Sequence, residues 1–563
     1  MPDYTPPIED MKFLLSSVTR LDALKRDDLD ASMVEAILEE AGKLASGVLA
    51  PLNAVGDKTP AKVQDGVVTT SPGFKDAYKQ YCDGGWNAVP FDPDFGGQGL
   101  PWVMSFPVQE MWQAANMAFG LCPLLNQGAV DAIHTWGTDE QKETYLAKLI
   151  SGEWTGTMNL TEPQAGSDLA LLRSKAVPNN DGTYRIYGQK IFITYGEHDF
   201  TDNIIHLVLA RLPDAPEGTR GISLFLVPKF LGQDGKRNDL KCVSLEHKLG
   251  IHGSPTATMS FGDTDGAIGY LLGKENEGLK CMFTMMNNAR LSVGLQGVAI
   301  ADRALQAAIA YAKDRKQGKP LAGGDTVTIS EHPDIRRMIL SMSSQVEAAR
   351  ALAYEAALHL DLARAGDKQA QGLVDLLTPV VKAWGTDIAC EVTSTAVQVH
   401  GGMGFIEETG VAQYYRDARI LPIYEGTNGI QANDLVFRKV LRDSGAAALA
   451  WIAQSREQVK SYTDKSLGVA LDQLEEATRY IVDNTKDPDV LAAIAVPYLK
   501  LFGITAGGVM LARSVLALQS EDDFARRKKA KAEFYIAHIL SQSTGLLIAI
   551  NSGSNAVLLE DLI

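Results

Sequence analysis

From about Thr157 to about residue 275 the hydrophobic pattern changes period, and that change limits the folds open to the chain. Tyr184-Arg185-Ile186-Tyr187, Ile191-Phe192-Ile193-Thr194, Ile204 to Leu209, Ile222 to Val227 and Thr256 to Phe261 alternate or run β-branched and aromatic. Gly, Pro, Asn and Asp separate them. Such segments with no helical pattern between them predict a small antiparallel sheet domain. On both sides the period is helical. Short amphipathic runs reach Leu49, and a helical pattern resumes beyond Pro107, through Met111, Trp112 and Ala115 to Leu149. Later, Leu291, Leu295, Val298, Leu305 and Ile309 share one face of a helix ending near Arg315. Two more long helices follow, broken near Gly366 and at Gly401-Gly402-Met403-Gly404.

At 563 residues the chain exceeds one core. The predicted architecture is mainly α with a central β domain, in four parts. Residues 1–155 form an N-terminal helical domain, 156–275 the antiparallel β domain, and 276–445 a helical bundle. Residues 446–563 form an additional C-terminal helical domain, set off at Ser444-Gly445-Ala446.

Composition removes several classes of function. A formal charge of −16 argues against a nucleic-acid partner, although a local basic pocket for an anion remains open. The five cysteines include no Cys-x-x-Cys pair and the nine histidines no His-Glu-x-x-His, so no metal site or disulfide framework is predicted. Neither a Gly-x-Ser-x-Gly elbow nor a phosphate-binding loop of the Gly-x-x-x-x-Gly-Lys type occurs. Gly401-Gly402-Met403-Gly404 follows a helical run rather than a strand, which makes it a poor doubly wound dinucleotide fingerprint. Acids Glu9 and Asp10 spoil a signal-like start, and no stretch reads as long enough to span a membrane; the apolar 536–550 region is expected to be a buried helix. The expected setting is cytoplasmic.

Candidate chemistry concentrates in Arg419 to Gln431. An apolar run brings the chain to Tyr424 and the single carboxylate Glu425; Gly426 breaks the pattern, and Thr427 can cap a helix whose Ile430, Phe437, Val440 and Leu441 share a face. Glu425 reads either as an ordinary acid before a helix start or as a buried general base. Three further segments carry similar pairs of readings. Asn159 to Asp168 is a turn or a donor of hydroxyls and N–H groups to a polar ring edge. Lys313-Asp314-Arg315-Lys316 with Lys319 complements a helix dipole or meets phosphates. Gln398-Val399-His400-Gly401-Gly402 is a C-cap or offers an amide at a close backbone approach.

Their order decides between these readings, because together they resemble the acyl-CoA dehydrogenase family from about residue 80 to 442. Thr161-Glu162-Pro163-x-x-Gly166-Ser167-Asp168 is similar to its flavin and substrate loop. Gly188-Gln189-Lys190-x-Phe192-Ile193-Thr194 is similar to the strand whose aromatic, usually Trp, stacks on the flavin. Ala396-Val397-Gln398-x-x-Gly401-Gly402-x-Gly404-Phe405 and Arg416-Asp417-Ala418-Arg419 resemble the approach to the active site, and Ile423-Tyr424-Glu425-Gly426-Thr427 the stretch with the catalytic base.

The resemblance implies FAD as cofactor and α,β-dehydrogenation of a saturated acyl-CoA to the trans-2-enoyl-CoA. Glu425 would remove the α proton while a hydride leaves for flavin N5, the thioester carbonyl being held by the Glu425 N–H and a ribityl hydroxyl. Thr161, Ser167, Phe192, Thr194 and Thr427 would contact the flavin, and Arg315, Gln398 and Gly402 its ADP part across a subunit interface. Ser167, Arg290, Tyr424 and Gly426 would face the substrate. At least a homodimer is implied, with electron-transferring flavoprotein as acceptor.

Departures from the family pattern fall at Asn287-Asn288-Ala289-Arg290, at Gly429 and at Gln317-Gly318, where acidic, polar and Thr-Phe residues are usual. The Pro6-Pro7 start, Lys248 to Thr256, Met282 to Asn287 and residues 446–563 resemble a longer bacterial branch. That branch includes 3-methylmercaptopropionyl-CoA dehydrogenases of dimethylsulfoniopropionate catabolism and some long-chain acyl-CoA dehydrogenases, so the resemblance implies 3-methylmercaptopropionyl-CoA or a short- or medium-chain acyl-CoA as substrate. An acyl-CoA oxidase using oxygen and a non-catalytic CoA-binding scaffold protein are the alternatives.

Overall fold

A computed structural model describes residues 3–232, 235–553 and 557–559. The chain divides into two compact units, one of residues 1–42, 102–114 and 290–563, the other of residues 43–101 and 115–289.

The second unit is built on a sheet. Its strands are β3 (Trp154–Asn159), β4 (Lys175–Pro178), β5 (Tyr184–Thr194), β6 (Asn203–Ala210), β7 (Ser223–Pro228), β10 (Leu240–Leu245), β11 (Thr256–Phe261) and β12 (Ala267–Leu272). They lie in the order β10-β11-β5-β12-β7-β6-β3, with β4 also on β5. Pairing is antiparallel except that β3 runs parallel to β6, so the sheet is mixed. The two segments at 184–187 and 191–194 prove to be one long strand, β5. Short strands such as β3 and β12 escape the period because they owe their conformation to sheet partners rather than to alternation. Residues 62–69 hold a small hairpin, β1 (Lys62–Gln64) and β2 (Val67–Thr69), turned by Asp65 and Gly66, both at positive φ, and β8 (Phe230–Leu231) pairs with β9 (Lys236–Arg237) in a second two-stranded sheet.

Between Ala257 and Met259 the β11 register shifts, so that Ile191 and Phe192 of β5 face one residue of β11. This bulge puts Phe192 at φ 61°, and the ring is 59% exposed beside the buried Ile193. At the β3 edge of the sheet, helix Met117–Trp136 is apolar on nearly all sides and buried through Ile133. It approaches β3 so closely that a Cβ on Gly156 would lie 2.3 Å from the Ala129 Cβ.

In the first unit, long helices Pro333–Arg364 and Lys368–His400 are joined at Gly366, and Asp367 caps the second. Gly294 and Gly297 let the Gly278–Asp314 helix meet the Lys368–His400 helix backbone to backbone: a Cβ on Gly297 would sit 2.4 Å from the Gly385 carbonyl oxygen. Leu291, Leu295, Val298 and Leu305 are buried as their shared face requires. The C-terminal helices are Ala446–Gln458, Lys465–Asp483, Pro488–Leu516, Asp523–Phe534 and Ser543–Asn551. Pro488–Leu516 corrects the expectation about length: its best 18-residue window has mean hydropathy 1.7, enough to span a bilayer by composition. Yet 67% of that window is buried inside the unit, and it works as a core helix, with Gly503 and Gly507 against the Trp384 ring. The 536–550 region is a π turn, a 3-10 turn and a short helix rather than one buried helix; it lies in a second stretch long and apolar enough by composition, Asp523–Asn551, of whose best window 33% is buried, and Ile548 is exposed.

Candidate active site

The Glu425 turn is held by its own backbone. Ile423 and Tyr424 both donate to the Ile420 carbonyl, at 2.9 and 3.1 Å, and Asn428 N–H closes back on the Pro422 carbonyl at 2.9 Å. Between them Glu425 has φ 56° and Gly426 φ 81°. A left-handed glutamate is strained by about 1 kcal/mol or more, which the surrounding hydrogen bonds must sustain. Glycine suits position 426 because of its positive φ, and a Cβ there would also press on Gln431 Nε2, at 2.8 Å. Thr427 caps helix Asn428–Asn433 by accepting from Ile430 N–H at 3.3 Å.

That helix gives way to a π segment, Asp434–Val440, and this corrects the single face expected from Ile430, Phe437, Val440 and Leu441. The wider turn rotates later residues, so Leu435, Val436 and Val440 are buried while Ile430 is exposed.

Three side chains surround the turn. Lys382 donates to the Gly426 carbonyl at 2.8 Å and to Asn428 Oδ1 at 2.9 Å. Gln431 Nε2 donates to the Glu425 carbonyl at 3.1 Å. Arg290 is buried, with Nη1 3.7 Å from Asp434 Oδ2. Glu425 keeps part of its surface accessible, but enclosing protein atoms strip water from the carboxyl and push it up to about 7. The positive charges of Arg290 and Lys382 oppose that rise. The Tyr424 hydroxyl is committed to Gln296, whose amide in turn donates to Gln113 at 3.0 Å. The Glu425 N–H finds no acceptor among the described residues, as a donor reserved for a ligand would.

In the other unit, Thr161 accepts from Ile191 N–H at 2.9 Å, which brings its loop alongside Phe192. Glu162 anchors the loop from inside. It accepts from Lys190 at 2.9 Å, from the Ser174 hydroxyl at 2.6 Å and from the Arg173 and Ser174 N–H groups. These partners hold Glu162 down to about 2, and burial pulls Lys190 down to about 8. Ser167 is exposed, and Thr194, half-buried, pairs with Thr256. An exposed aromatic on a strained bulge, flanked by the hydroxyl-bearing Thr161 loop, fits a planar ring with polar edges. In the first unit Arg315, Gln398 and Gly402 are exposed; among the described residues the Arg315 guanidinium reaches only Gln317, at 3.5 Å, and Gly401 takes φ 58°. Of these, the exposed Arg315 guanidinium could meet a phosphate.

Sequence reasoning missed Lys382, Gln431 and the anchoring role of Glu162 and Lys190. Lys382 left one signal: a lone lysine in the otherwise apolar run Pro379 to Trp384. Among the described residues no cluster of three or more His, Cys, Asp or Glu could hold a metal ion.

Family models match almost end to end: acyl-CoA dehydrogenase N-terminal domain at residues 35–153, middle domain at 157–264 and C-terminal domain at 276–439. An acetyl-CoA dehydrogenase C-terminal-like domain matches 446–559. The chain belongs to the acyl-CoA dehydrogenase family. It is 47% identical to the 3-methylmercaptopropionyl-CoA dehydrogenase of Ruegeria pomeroyi, covering 95% of this chain and 96% of that one. A butyryl-CoA dehydrogenase of Syntrophomonas wolfei is 35% identical over 96% of this chain and 94% of its own. The solved Bacillus anthracis acyl-CoA dehydrogenase complexed with FAD superposes with a TM-score of 0.77 at 21% identity, covering 98% of this chain and 93% of that one, and shares the fold.

Proposed function

We propose that this chain is an FAD-dependent acyl-CoA dehydrogenase whose base is Glu425 and whose substrate is 3-methylmercaptopropionyl-CoA. The observation that carries the base is a carboxylate on a left-handed turn, raised to about 7 by burial, between Arg290 and Lys382. At neutral pH such a carboxylate is partly ionised and basic enough to share an α proton. Its own N–H, left without an acceptor, would polarise the thioester carbonyl and make that proton acidic. Arg290 would keep the ionised form accessible as the site closes to water, and Gly426 would let the thioester approach the backbone. Thr161, Ser167, Phe192, Thr194 and Thr427 would hold FAD at its ring system, with Arg315, Gln398 and Gly402 at its ADP part. FAD, when bound, supplies the acceptor for the hydride equivalent leaving the β carbon.

The substrate reading rests on the Ruegeria pomeroyi relative, which matches over nearly the full length including the C-terminal domain. On that reading the chain would act in dimethylsulfoniopropionate catabolism, with a butyryl-type short acyl chain as the neighbouring choice. Electron-transferring flavoprotein as acceptor, a cytoplasmic setting and a homodimer belong to the same reading. An exposed apolar patch at Met403, Phe405 and Ile406 supports a second copy over the Gly401 turn. The four-part division at 155, 275 and 445 is part of this reading too, supported by the bounds of the family models.

A panel of acyl-CoA thioesters with an artificial electron acceptor tests it. Highest kcat/KM on 3-methylmercaptopropionyl-CoA is the expected result; a clear preference for butyryl-CoA or a longer chain overturns the substrate. Stoichiometric hydrogen peroxide in air would make the chain an oxidase. A colourless protein that takes up no FAD would make it a scaffold.

A further inference from the structure

We infer that Lys382 is the positioning residue of the base. From inside the fold it holds the Gly426–Thr427 peptide that follows the left-handed Glu425 and sets a positive charge near the carboxylate. The inference rests on Glu425 being the base.

Lys382 is 0% exposed, in the middle of the Lys368–His400 helix. A lysine so placed is nearly always paired with a carboxylate, because an isolated ammonium loses its hydration on burial. Among the described residues, however, no carboxylate oxygen comes within 4 Å of Lys382 Nζ. Its two acceptors, the Gly426 carbonyl and Asn428 Oδ1, are neutral. Asn428 is itself pinned, donating through Nδ2 to Asp387 Oδ1 at 2.7 Å, to Thr386 Oγ1 at 3.0 Å and to the Ala383 carbonyl at 3.1 Å. One turn of the Lys368–His400 helix therefore grips the loop just after Glu425 at two points. Gln431 adds the third, on the Glu425 carbonyl.

Such a grip has a chemical consequence. The strained glutamate cannot relax to an ordinary φ without breaking the Lys382 bond to the next peptide. Its carboxylate also ionises next to a lysine that is still charged at that pH. Burial pulls Lys382 itself down to about 8, with Glu425 and Asp387 pulling it back, so the lysine is charged where the base must lose its proton. The other charges facing this corner are Arg290, paired towards Asp434 and near Arg438, and Asp387, with Lys500 and Arg419 acting on it.

The experiment compares the holoenzyme with Lys382→Met and Lys382→Gln. Gln can donate to Gly426 without charge; Met can do neither. In both variants the acid limb of the kcat–pH profile should move up by about one pH unit. Lys382→Met should in addition lose about tenfold or more in kcat at its optimum, while KM moves by less than about threefold and FAD content stays that of the parent. An acid limb that coincides with the parent's in both variants overturns the inference. So does loss of folding in both, which would make Lys382 a purely structural group. Glu425→Gln run alongside separates the two levels. If that variant turns over normally, the base assignment itself falls; if it is dead and the lysine profiles do not move, only the role of Lys382 falls.

Discussion

Lys190 Nζ lies 2.9 Å from Glu162 Oε1 with both side chains buried, one on β5 and the other on the loop that follows β3. The pair ties the Thr161 loop to the strand that carries Phe192. Removing one partner of a buried ion pair leaves a charge without its counter-charge, at a cost of about 3–5 kcal/mol. Lys190→Met should therefore destabilise the protein, towards the lower end of that range because Ser174, Arg173 and Gln164 still donate to Glu162. The double variant Glu162→Gln/Lys190→Met should recover most of the loss. Denaturant unfolding of the three variants checks this, and an additive double variant would refute the coupling.

Glu425→Gln should keep acyl-CoA and FAD binding and lose several orders of magnitude in turnover, since an amide cannot take the α proton. Stopped-flow bleaching of the flavin absorbance with substrate reads it directly. In the parent enzyme kcat should fall as pH drops below about 7, where the carboxyl becomes protonated.

Stability should move the opposite way. Below about pH 4.5 the carboxyl is protonated in both states and Glu425 costs nothing. Between there and about 7 the unfolded chain ionises first, so the folded state loses ground, on the order of 3 kcal/mol by pH 8. Glu425→Gln should thus raise the Tm at pH 8 and not at pH 4. A variant with unchanged Tm at both would show that the carboxyl is not held out of water.

At Phe192, strain and exposure coincide. Phe192→Gly should relieve the left-handed backbone and stabilise the FAD-free protein by about 1 kcal/mol, while weakening FAD binding about tenfold through loss of ring contact. Phe192→Trp should bind as the parent does. FAD titration by flavin fluorescence decides it: equal affinity in all three would remove Phe192 from the cofactor site.

Gly507 in the Pro488–Leu516 helix allows no side chain. A Cβ there would lie 2.5 Å from both the Trp384 ring and the Tyr535 hydroxyl oxygen. Gly507→Ala gains about 1 kcal/mol of helix propensity, but displacing a buried indole costs about 1–3 kcal/mol. A lower Tm is expected, and a raised Tm would mean that the Trp384 contact yields easily.

The order of helical, sheet and helical segments was legible because hydrophobic period is a local property, written residue by residue in runs such as Leu291 to Ile309. The motif order around Thr161, Phe192, Gln398 and Glu425 was legible too, since each lies on a short contiguous stretch. What period could not show was which strands pair, as with β3 running parallel to β6, or that the turn after Thr427 widens into a π segment. Both depend on contacts distant in sequence. The same holds for the chemistry of Glu425. Its type and place are in the sequence alone, where it reads equally as a helix-start acid. Its left-handed backbone, its burial and the lysine that grips the next peptide come from a helix some forty residues upstream. A pKa is set by what surrounds a carboxyl in space, and only the folded chain assembles those surroundings.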